Sequence, residues 1–342
     1  MELTEFKTKI MKLKYYNLLA GVLLMISCEK ELPGVDTPSF DVSTEALSYK
    51  VGSVVKFKIT GSANIVSFYS GEPLKDYAFR AGRLVDAGNA GAKLSFMSAV
   101  TGGTQGTLSN TVPPHLKVVA STNFSGNYDM TSIQAATWLD ITSRFRYAIN
   151  NTAVSSNPTP PGVPVDISDL IVAGKPIYIA YKYVTLPQAV NGTARTWSIT
   201  SFQITSNKDI SVAGPAINPI VTNYLSAGFR LVDQNPLTAP ARSSLTTTTI
   251  NLLGNLYDAV NDAGNDPLSE NWAISKPIFT NTIDLGPDKP VAIKDQAKAT
   301  ALVEHTYTYT QPGTYKATFV ALNVNLDNRK EIVKEITITV TP

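Results

Sequence analysis

The sequence predicts an all-β protein, because alternating polar and apolar residues dominate it while helical spacing of apolar residues is scarce. Residues 53–60 place Val55, Phe57 and Ile59 on one face, with polar side chains between them. Alternation with a period of two is typical of half-buried strands. Turns rich in glycine and asparagine recur roughly every 8–12 residues, a spacing that favours a β-sandwich.

The clearest strand pattern lies near the C terminus. Residues 304–311 predict a strand, a Pro-Gly turn follows, and residues 314–320 predict a second strand. Asp327 and Asn328 predict a turn that leads into a third strand at residues 331–340. This part of the chain is therefore expected to supply a three-stranded antiparallel unit.

The N-terminal region predicts export and lipid attachment. Lys12 and Lys14 precede an apolar stretch at residues 15–27, which is shorter than the ~20 apolar residues that a membrane-spanning helix needs. Cys28, the single cysteine of the 342 residues, follows directly. The Met-Ile-Ser-Cys sequence at residues 25–28 resembles a bacterial lipobox, which implies that the Cys28 thiol is acylated and becomes the first residue of the mature chain.

Residues 1–27 are accordingly interpreted as a signal peptide. Met11 is expected to be the true start, because the ten residues before it carry two glutamates, which oppose the usual positive charge of a signal sequence. Residues 28–39 predict a lipidated polar tether. Glu29 and Glu31 within it resemble the export signal of surface lipoproteins in Bacteroidetes.

Composition and charge argue against several function classes. Without residues 1–27, which hold four lysines and two glutamates, 25 basic and 25 acidic side chains remain, and no basic run appears. We therefore expect no nucleic-acid partner. With Cys28 lipidated, no disulfide can form, and His115 and His305 are too few for a zinc site built from histidine and cysteine.

Catalytic motifs are not found in the sequence. The glycine-rich residues 102–106 lack the Gly-Lys-Thr ending of a phosphate-binding loop, and no Gly-x-Ser-x-Gly motif occurs. A glycosidase needs only two carboxylates, for which Glu72, Asp76 and Asp140 are available, but none of them stands in an aromatic-flanked motif. The expectation is that the protein is not an enzyme, with a glycosidase as the weakest alternative.

Two domain layouts are compatible with the pattern. Residues 40–72 supply too few strands for a closed core of their own. The chain therefore has either separate N- and C-terminal sandwiches or one sandwich that is interrupted by the middle of the sequence. The second layout is favoured, with residues 40–75 plus 270–342 as the sandwich, residues 76–250 as a middle module, and residues 251–269 as a helix and connector.

The terminal and middle parts resemble two known kinds of module. His-Thr-Tyr at residues 305–307 and Gly-Thr-Tyr at residues 313–315 resemble the end of a PKD-type immunoglobulin-like domain, which implies an Ig/PKD-like sandwich. The middle resembles the jelly-roll β-sandwich of cleaved-adhesin and carbohydrate-binding modules. The segments that carry this second resemblance are residues 116–126, 133–141, 177–183 and 196–204.

The chain as a whole resembles the DUF5017 lipoproteins of gut Bacteroidetes, through the lipobox and through Phe-Tyr-Ser-Gly-Glu at residues 68–72. Proteins of this family are typically encoded near outer-membrane glycan uptake systems. The resemblance implies a protein held at the outer membrane or cell surface through Cys28. It also implies an uptake receptor and that receptor's lipoprotein as partners.

Aromatic side chains are the candidates for ligand binding, because indole and phenol rings stack on the C–H faces of sugars. Trp138 follows Ala-Ala-Thr in a turn-rich loop and is the first candidate. Tyr181 and Tyr183 alternate along one strand, one face of which is expected to meet solvent. Trp197 is expected in the core, and Trp272 is expected to be another strand residue.

An acidic segment supplies the candidates for a metal site. Asp258, Asp262 and Asp266 are hard oxygen ligands suited to a structural calcium ion, although the order of residues is not that of an EF-hand loop. The alternative is a solvated helix end, which the residues favour. Apolar residues at helical spacing over residues 250–260, with Gly264 beyond them, predict that helix. No other cofactor is expected.

The leading functional hypothesis is a non-catalytic lipoprotein that binds a glycan or glycoprotein for a polysaccharide uptake system. The alternative is an adhesive or structural module of the cell surface that binds a protein partner. Both hypotheses follow from the predicted lipid anchor, the all-β modules and the family that the sequence resembles.

Overall fold

The structure is a computed structural model, and the residues that it describes fall into six stretches. These are residues 34–158, 163–212, 214–234, 242–254, 268–297 and 301–342. The predicted signal peptide, Cys28 and the calcium candidates Asp258, Asp262 and Asp266 lie outside the described residues. The described part is an all-β fold made of sandwich-like sheets, as the sequence predicts.

The strands are, in chain order, β1 Ser39–Thr44, β2 Ser48–Lys50, β3 Val54–Ser62, β4 Ile65–Tyr69, β5 Leu84–Asp86, β6 Ala92–Thr101, β7 Leu116–Ser121, β8 Leu139–Asp140, β9 Val154–Ser155, β10 Val165–Asp166, β11 Tyr178–Thr185, β12 Thr196–Ser206, β13 Ile220–Asn223, β14 Arg230–Asp233, β15 Ser244–Leu245, β16 Thr249–Leu252, β17 Ser269–Ile274, β18 Thr282–Asp284, β19 Val291–Lys294, β20 Glu304–Thr308, β21 Gly313–Val324 and β22 Arg329–Thr341. The short helices are α1 Met130–Ala135, α2 Gln188–Asn191 and α3 Tyr224–Ala227, and single 3-10 turns lie at Tyr77–Phe79, Thr142–Arg144 and Ser168–Leu170.

Strands from both ends of the chain build one sandwich, here called the terminal sandwich. One of its sheets has the order β1-β3-β20, and the other has the order β19-β4-β21-β22-β2. Val55 and Phe57 of β3 are buried in the core between the sheets, as the alternation predicts, where they pack with Phe68 and Phe319. The strands of residues 40–72 are thus completed by strands from the C-terminal region, while the domain limits given above stay a prediction.

The Phe-Tyr-Ser-Gly-Glu segment has a structural role in this sandwich. The carbonyl oxygen of Ser70 accepts a hydrogen bond of 2.8 Å from the Tyr309 hydroxyl. The Glu72 carboxylate accepts hydrogen bonds from the hydroxyls of Ser70 and Tyr307. Gly71 has a φ of +82°, and a Cβ atom there would lie 2.5 Å from the Lys316 nitrogen, so the turn needs glycine.

The middle of the chain forms a second sandwich, here called the middle sandwich. Its larger sheet has the order β10-β6-β12-β16-β15, with β9 paired to β6 and β13 paired to β12. Its smaller sheet has the order β14-β17-β11-β7-β8. The core between the sheets contains Trp197, as expected, together with Tyr181 and Tyr183 of β11.

Two sequence expectations differ from the observed elements. Residues 250–252, predicted to begin a helix, lie in strand β16, where Ile250 and Leu252 are buried against β12. Residues 250 and 252 are two apart and share one face of a strand, so the same apolar residues fit both patterns. Strand β17, which the sequence assigns to the terminal sandwich, pairs with β11 and β14 of the middle sandwich.

The two chain segments that connect the sandwiches run side by side as a two-stranded ribbon. Strand β5 of the outgoing segment pairs with β18 of the returning segment. Val85 and Ile283 of the ribbon are buried together, with Ile210 and Val221 of the middle sandwich packed against them. An ion pair between Arg83 and Asp288 closes the end of the ribbon nearest the terminal sandwich.

Candidate functional site

Aromatic rings cover the outer face of the smaller sheet in the middle sandwich. The loop between β7 and β8 folds over this face and carries Phe124 and Trp138 onto it. The Phe124 ring centroid lies 5.1 Å from that of Tyr178, and the Trp138 centroid lies 5.2 Å from that of Trp272. Helix α1 within the loop is capped by Asp129, whose side chain accepts from the Ser132 nitrogen at 2.7 Å.

Trp138 is half-buried and held in a fixed orientation. Its indole nitrogen donates a hydrogen bond of 3.0 Å to the carbonyl oxygen of Ile133. Beside it, Trp272 donates to Glu270 at 3.1 Å, and Glu270 forms an ion pair of 2.8 Å with Lys182. The Trp138 ring, which was predicted from the sequence as a ligand-binding candidate, therefore lies partly at the surface. It packs on the buried Trp272 indole, which is held by the Glu270–Lys182 pair.

A cleft of about 330 Å³ lies beside strand β8 and is here called the Asn123 cleft. The Asn123 side-chain oxygen accepts from the Thr137 nitrogen at 2.9 Å and from the Ser121 hydroxyl at 2.9 Å. The residues that line the cleft are Ala120, Ser121, Thr122, Asn123, Thr137, Leu139, Asp169 and Leu170. Hydroxyl, amide and carboxylate groups thus surround a small apolar floor.

A second cleft, of about 460 Å³, is here called the His115 cleft. Its lining residues are Thr111, Val112, Pro113, Pro114, His115, Leu116, Lys117, Asp140, Thr142 and Ser143. His115 has a φ of +62°, an unusual conformation for a residue with a side chain. Burial lowers the pKa of His115, and the charge of Arg195 lowers it further.

Both clefts contain a carboxylate that is paired with a cation. Asp140 forms an ion pair of 2.8 Å with Lys117, and Asp169 forms two hydrogen bonds of 2.7 Å with Arg144. Burial acts to raise the pKa of Asp140, but hydrogen bonds from Lys117 and Thr142 outweigh it and the pKa is lowered. The hydrogen bond from Arg144 lowers the pKa of Asp169. Both carboxylates are therefore ionised at neutral pH.

The two clefts meet at the short strand β8, which is the last strand of its sheet. Leu139 lines the Asn123 cleft, and its neighbour Asp140 lines the His115 cleft. The Leu139 side chain is 51% exposed. The two clefts, with Leu139 and Asp140 of β8 and the preceding Trp138, are here called the β8 edge, although Trp138 itself lines neither cleft.

The structure corrects two of the three predicted ligand-binding residues. Tyr181 is 0% exposed and Tyr183 is 1% exposed, so neither ring can stack on a ligand at the surface. Both side chains point between the two sheets, while Lys182 between them points outward. The Tyr183 hydroxyl donates a hydrogen bond of 2.7 Å to the carbonyl oxygen of Arg195.

Several contacts of the β8 edge were not predicted from the sequence, although Asp140 is named there as a carboxylate. Lys117 and Asp140 are brought together only because β7 and β8 pair. Asn123 and Thr137 lie within the Ser-Thr-Asn-Phe-Ser-Gly and Ala-Ala-Thr-Trp segments that carried the jelly-roll resemblance. The resemblance therefore singled out these two segments, but it did not predict that they contact each other.

No group of three or more histidine, cysteine, aspartate or glutamate side chains in the described residues could hold a metal ion. The calcium prediction at Asp258, Asp262 and Asp266 stays a prediction. In the same part of the chain, no helix has the length and apolar character that crossing a membrane requires.

The described residues form an all-β, sandwich-like fold with two adjoining clefts at strand β8. Residues 27–229 match the family described as a domain of unknown function (DUF5017), so the chain belongs to this family. The matched region includes the whole β8 edge and ends just before β14. No curated protein shows significant similarity to the chain.

Proposed function

We propose that the protein binds a glycan or glycoprotein at the β8 edge. The observation that carries this proposal is the pair of clefts that adjoin at strand β8, lined by hydroxyl, amide and carboxylate groups. The half-buried indole of Trp138 directly precedes this strand and is the aromatic ring next to the clefts in the chain. Sugars are recognised by an aromatic ring that meets their C–H face and by polar groups that meet their hydroxyls. The β8 edge offers both kinds of group within one surface.

The size of the surface favours a chain of sugars over a single sugar. The clefts enclose about 330 and 460 Å³, and each is comparable with a small-molecule site of roughly 300–1,000 Å³. Since strand β8 alone separates them, one extended ligand can occupy both clefts. Asn123 and Thr137 would meet its hydroxyls in one cleft, and Ser143 and Lys117 would meet them in the other.

The state of the carboxylates supports binding rather than hydrolysis. A glycosidase needs one carboxyl group that stays protonated near the working pH, which requires a raised pKa. Asp140 and Asp169, the carboxylates of the two clefts, have lowered pKa values instead. A non-catalytic role is therefore the better proposal for this surface.

The proposed setting is the outer membrane or cell surface. The lipobox resemblance around Cys28 supports a lipid anchor, and the resemblances to PKD-type and jelly-roll modules support a binding protein held away from the membrane. In this setting the protein would deliver its ligand to an outer-membrane uptake receptor and its partner lipoprotein. Metabolic labelling with a palmitate analogue, compared between the wild type and Cys28→Ser, tests the anchor.

The binding experiment compares the wild type with two variants of the β8 edge on a panel of neutral and acidic glycans. Trp138→Ala removes the ring, and Leu139→Arg places a long charged side chain in the Asn123 cleft at a position that is exposed and outside the core. Phe279→Ala is the matched control, because Phe279 is an exposed aromatic residue away from the clefts. Isothermal titration should show binding to at least one glycan, weakened at least about tenfold by either edge variant and unchanged by the control.

Intrinsic fluorescence gives a second readout of the same proposal. Trp197 and Trp272 are buried, so a ligand at the β8 edge should change the accessibility of Trp138 to a quencher. Absence of binding to every glycan of the panel, or equal binding by wild type and Leu139→Arg, would contradict the proposal.

A protein-binding role is the second candidate, because two aliphatic side chains are exposed in this surface. Val112 is 67% exposed and Leu139 is 51% exposed, and apolar contacts of this kind suit a protein partner. Co-purification from solubilised outer membranes distinguishes the two functions. Loss of a partner protein in Leu139→Arg, with no glycan binding by the wild type, would favour the adhesive role.

A further inference from the structure

A second groove lies on the terminal sandwich, on the face of its larger sheet that points away from the core. It encloses about 300 Å³ and is here called the Arg80 groove. Its lining residues are Ile65, Ser67, Tyr69, Tyr77, Arg80, Pro290, Val320, Leu322, Arg329 and Glu331. The groove shares none of these residues with the β8 edge.

The floor of the groove follows from the strand alternation. Val66 and Phe68 of β4 face the core, so Ile65, Ser67 and Tyr69 face the groove. On the neighbouring strand β21, Val320 and Leu322 face the same way. The floor is therefore an aliphatic strip with a serine hydroxyl in it, bounded by a tyrosine ring.

Three hydroxyl groups in the groove are available to a ligand. Within the described residues, the side-chain hydroxyls of Ser67, Tyr69 and Tyr77 engage no other group through a hydrogen bond. The rings of Tyr69 and Tyr77 pack edge to face, with centroids 5.4 Å apart. Their packing fixes the two phenol groups relative to each other, which reduces the entropy lost on binding.

Arg80 supplies an oriented cation at one end of the groove. Its guanidinium carbon lies 4.2 Å from the centre of the Tyr77 ring, and one terminal nitrogen donates to the Tyr77 carbonyl oxygen at 3.2 Å. Among the described residues no carboxylate lies within ion-pair distance of Arg80. A stacked guanidinium presents its remaining N–H groups edge-on, the geometry that accepts a carboxylate through two hydrogen bonds.

The other charged groups of the groove leave this cation uncompensated. Arg329 and Glu331 form their own ion pair of 2.7 Å. The two arginines and one glutamate give the groove a net charge of about +1 at neutral pH. A ligand with one negative charge would neutralise the net charge of the groove.

We propose that the Arg80 groove binds an acidic saccharide, with a hexuronate residue as the recognised unit. The uronate carboxylate pairs with the Arg80 guanidinium. Ring hydroxyls exchange hydrogen bonds with the hydroxyls of Ser67, Tyr69 and Tyr77, and the C–H face of the sugar lies on Val320 and Leu322. A neutral sugar would leave Arg80 unpaired.

The proposal goes beyond the glycan site at the β8 edge and stands on separate residues. The two sites can therefore be tested independently. A variant of the β8 edge should leave uronate binding unchanged, and a variant of Arg80 should leave binding at the β8 edge unchanged.

The test uses short oligosaccharides of galacturonate, glucuronate and mannuronate, each as the free acid and as its neutral methyl ester. Isothermal titration is carried out with the wild type, Arg80→Gln and Arg146→Gln. Arg146 is an exposed arginine outside every cleft described above, so it is the matched control for loss of one positive charge. Tyr77→Phe, which keeps the ring under Arg80, is the second groove variant.

We expect at least one free acid to bind the wild type, and Arg80→Gln to weaken that binding about tenfold or more, as loss of a charged hydrogen bond does. The methyl ester should bind the wild type more weakly than the acid does, and Arg80→Gln should not weaken ester binding further. Arg146→Gln should bind like the wild type, and raised salt should weaken binding of the acid.

Several outcomes would overturn the proposal. These are equal affinity of acid and ester, wild-type affinity in both Arg80→Gln and Tyr77→Phe, and no binding of any free acid. Loss of uronate binding in Trp138→Ala but not in Arg80→Gln would move the acidic ligand to the β8 edge. Tighter binding of an aspartate-rich peptide than of every uronate would indicate that the groove binds an acidic protein segment and not a saccharide.

Discussion

Arg83 and Asp288 form a two-pronged ion pair, in which Nε lies 2.9 Å from Oδ1 and Nη2 lies 2.6 Å from Oδ2. The Asp288 side chain is 1% exposed. Its Oδ2 atom also accepts a hydrogen bond of 2.9 Å from the Asp76 nitrogen. One carboxylate thus fixes both connecting segments at the point where they leave the terminal sandwich.

Asp288→Ala should therefore lower the free energy of unfolding strongly. The substitution leaves the Arg83 charge largely buried and unpaired, which typically costs about 3–5 kcal/mol. Urea denaturation measures the change. The control is Asp41→Asn, since the Asp41–Lys334 pair is exposed and its loss should leave the midpoint unchanged. Equal midpoints for both variants would contradict the structural role of Asp288.

Gly71→Ala should destabilise the protein more than Gly52→Ala does. Both glycines have φ near +80°, but a Cβ atom at Gly71 would lie 2.5 Å from the Lys316 nitrogen, whereas nothing lies within 4 Å of one at Gly52. Gly52→Ala should cost about 1–2 kcal/mol from backbone strain alone, and the steric clash at Gly71 adds to that cost. Thermal unfolding of the two variants measures the difference, and a larger effect at Gly52 would be inconsistent with this packing.

Tyr181→Phe and Tyr183→Phe should have opposite effects on stability, although the residues share one face of β11. The Tyr181 hydroxyl is buried with no hydrogen-bond partner in the described residues, while the Tyr183 hydroxyl donates to Arg195 at 2.7 Å. Removing the Tyr181 hydroxyl should leave the free energy of unfolding unchanged or raise it by up to about 1 kcal/mol. Removing the Tyr183 hydroxyl should lower the free energy of unfolding by about 1 kcal/mol. Urea denaturation of both variants tests the pair, and destabilisation by Tyr181→Phe would show that its hydroxyl has a partner.

His305 should make the protein less stable as the pH falls below about 6.5, the ordinary pKa of histidine. Burial lowers the pKa of His305, so the folded state binds its proton less readily than the unfolded state does. The stability present at higher pH is then lost as the pH falls from about 6.5 through the lower pKa of the folded state. His305 lies among rings, with its centroid 4.6 Å from that of Phe68.

His305→Phe should accordingly reduce the loss of stability between pH 7 and pH 5. The measurement is the urea midpoint as a function of pH. His115, the second of the two histidines, also has a lowered pKa and should account for part of the remaining dependence. An unchanged pH profile in His305→Phe would argue against burial as the cause.

Local patterns predicted the fold class and the inward face of several strands. Val55 and Phe57 alternate with polar residues, and only one face of such a strand can enter a core. Strand β11 is different, because apolar and aromatic residues occupy both of its faces. Tyr181 faces the core, while Tyr178 lies under the loop that carries Trp138. Which face is covered by a loop depends on tertiary packing, so the alternation could not decide it.

The candidate sites were predictable only in part, for the same reason. Trp138 stood out as an indole in a turn-rich segment, and it does lie at the surface. Lys117 and Asp140 are 23 positions apart, and Arg83 and Asp288 are 205 positions apart. Pairs of this kind form only when particular strands become neighbours in the fold. The sequence around one partner therefore does not identify the other partner.

The ribbon of β5 and β18 has a mechanical consequence. The middle sandwich is joined to the terminal sandwich by two covalent chain crossings that lie next to each other, so a pull between the sandwiches is shared by two strands in parallel. Cleavage of either crossing by a protease would leave the other intact. A ligand held by the middle sandwich would thus stay connected to the rest of the protein after a single cut.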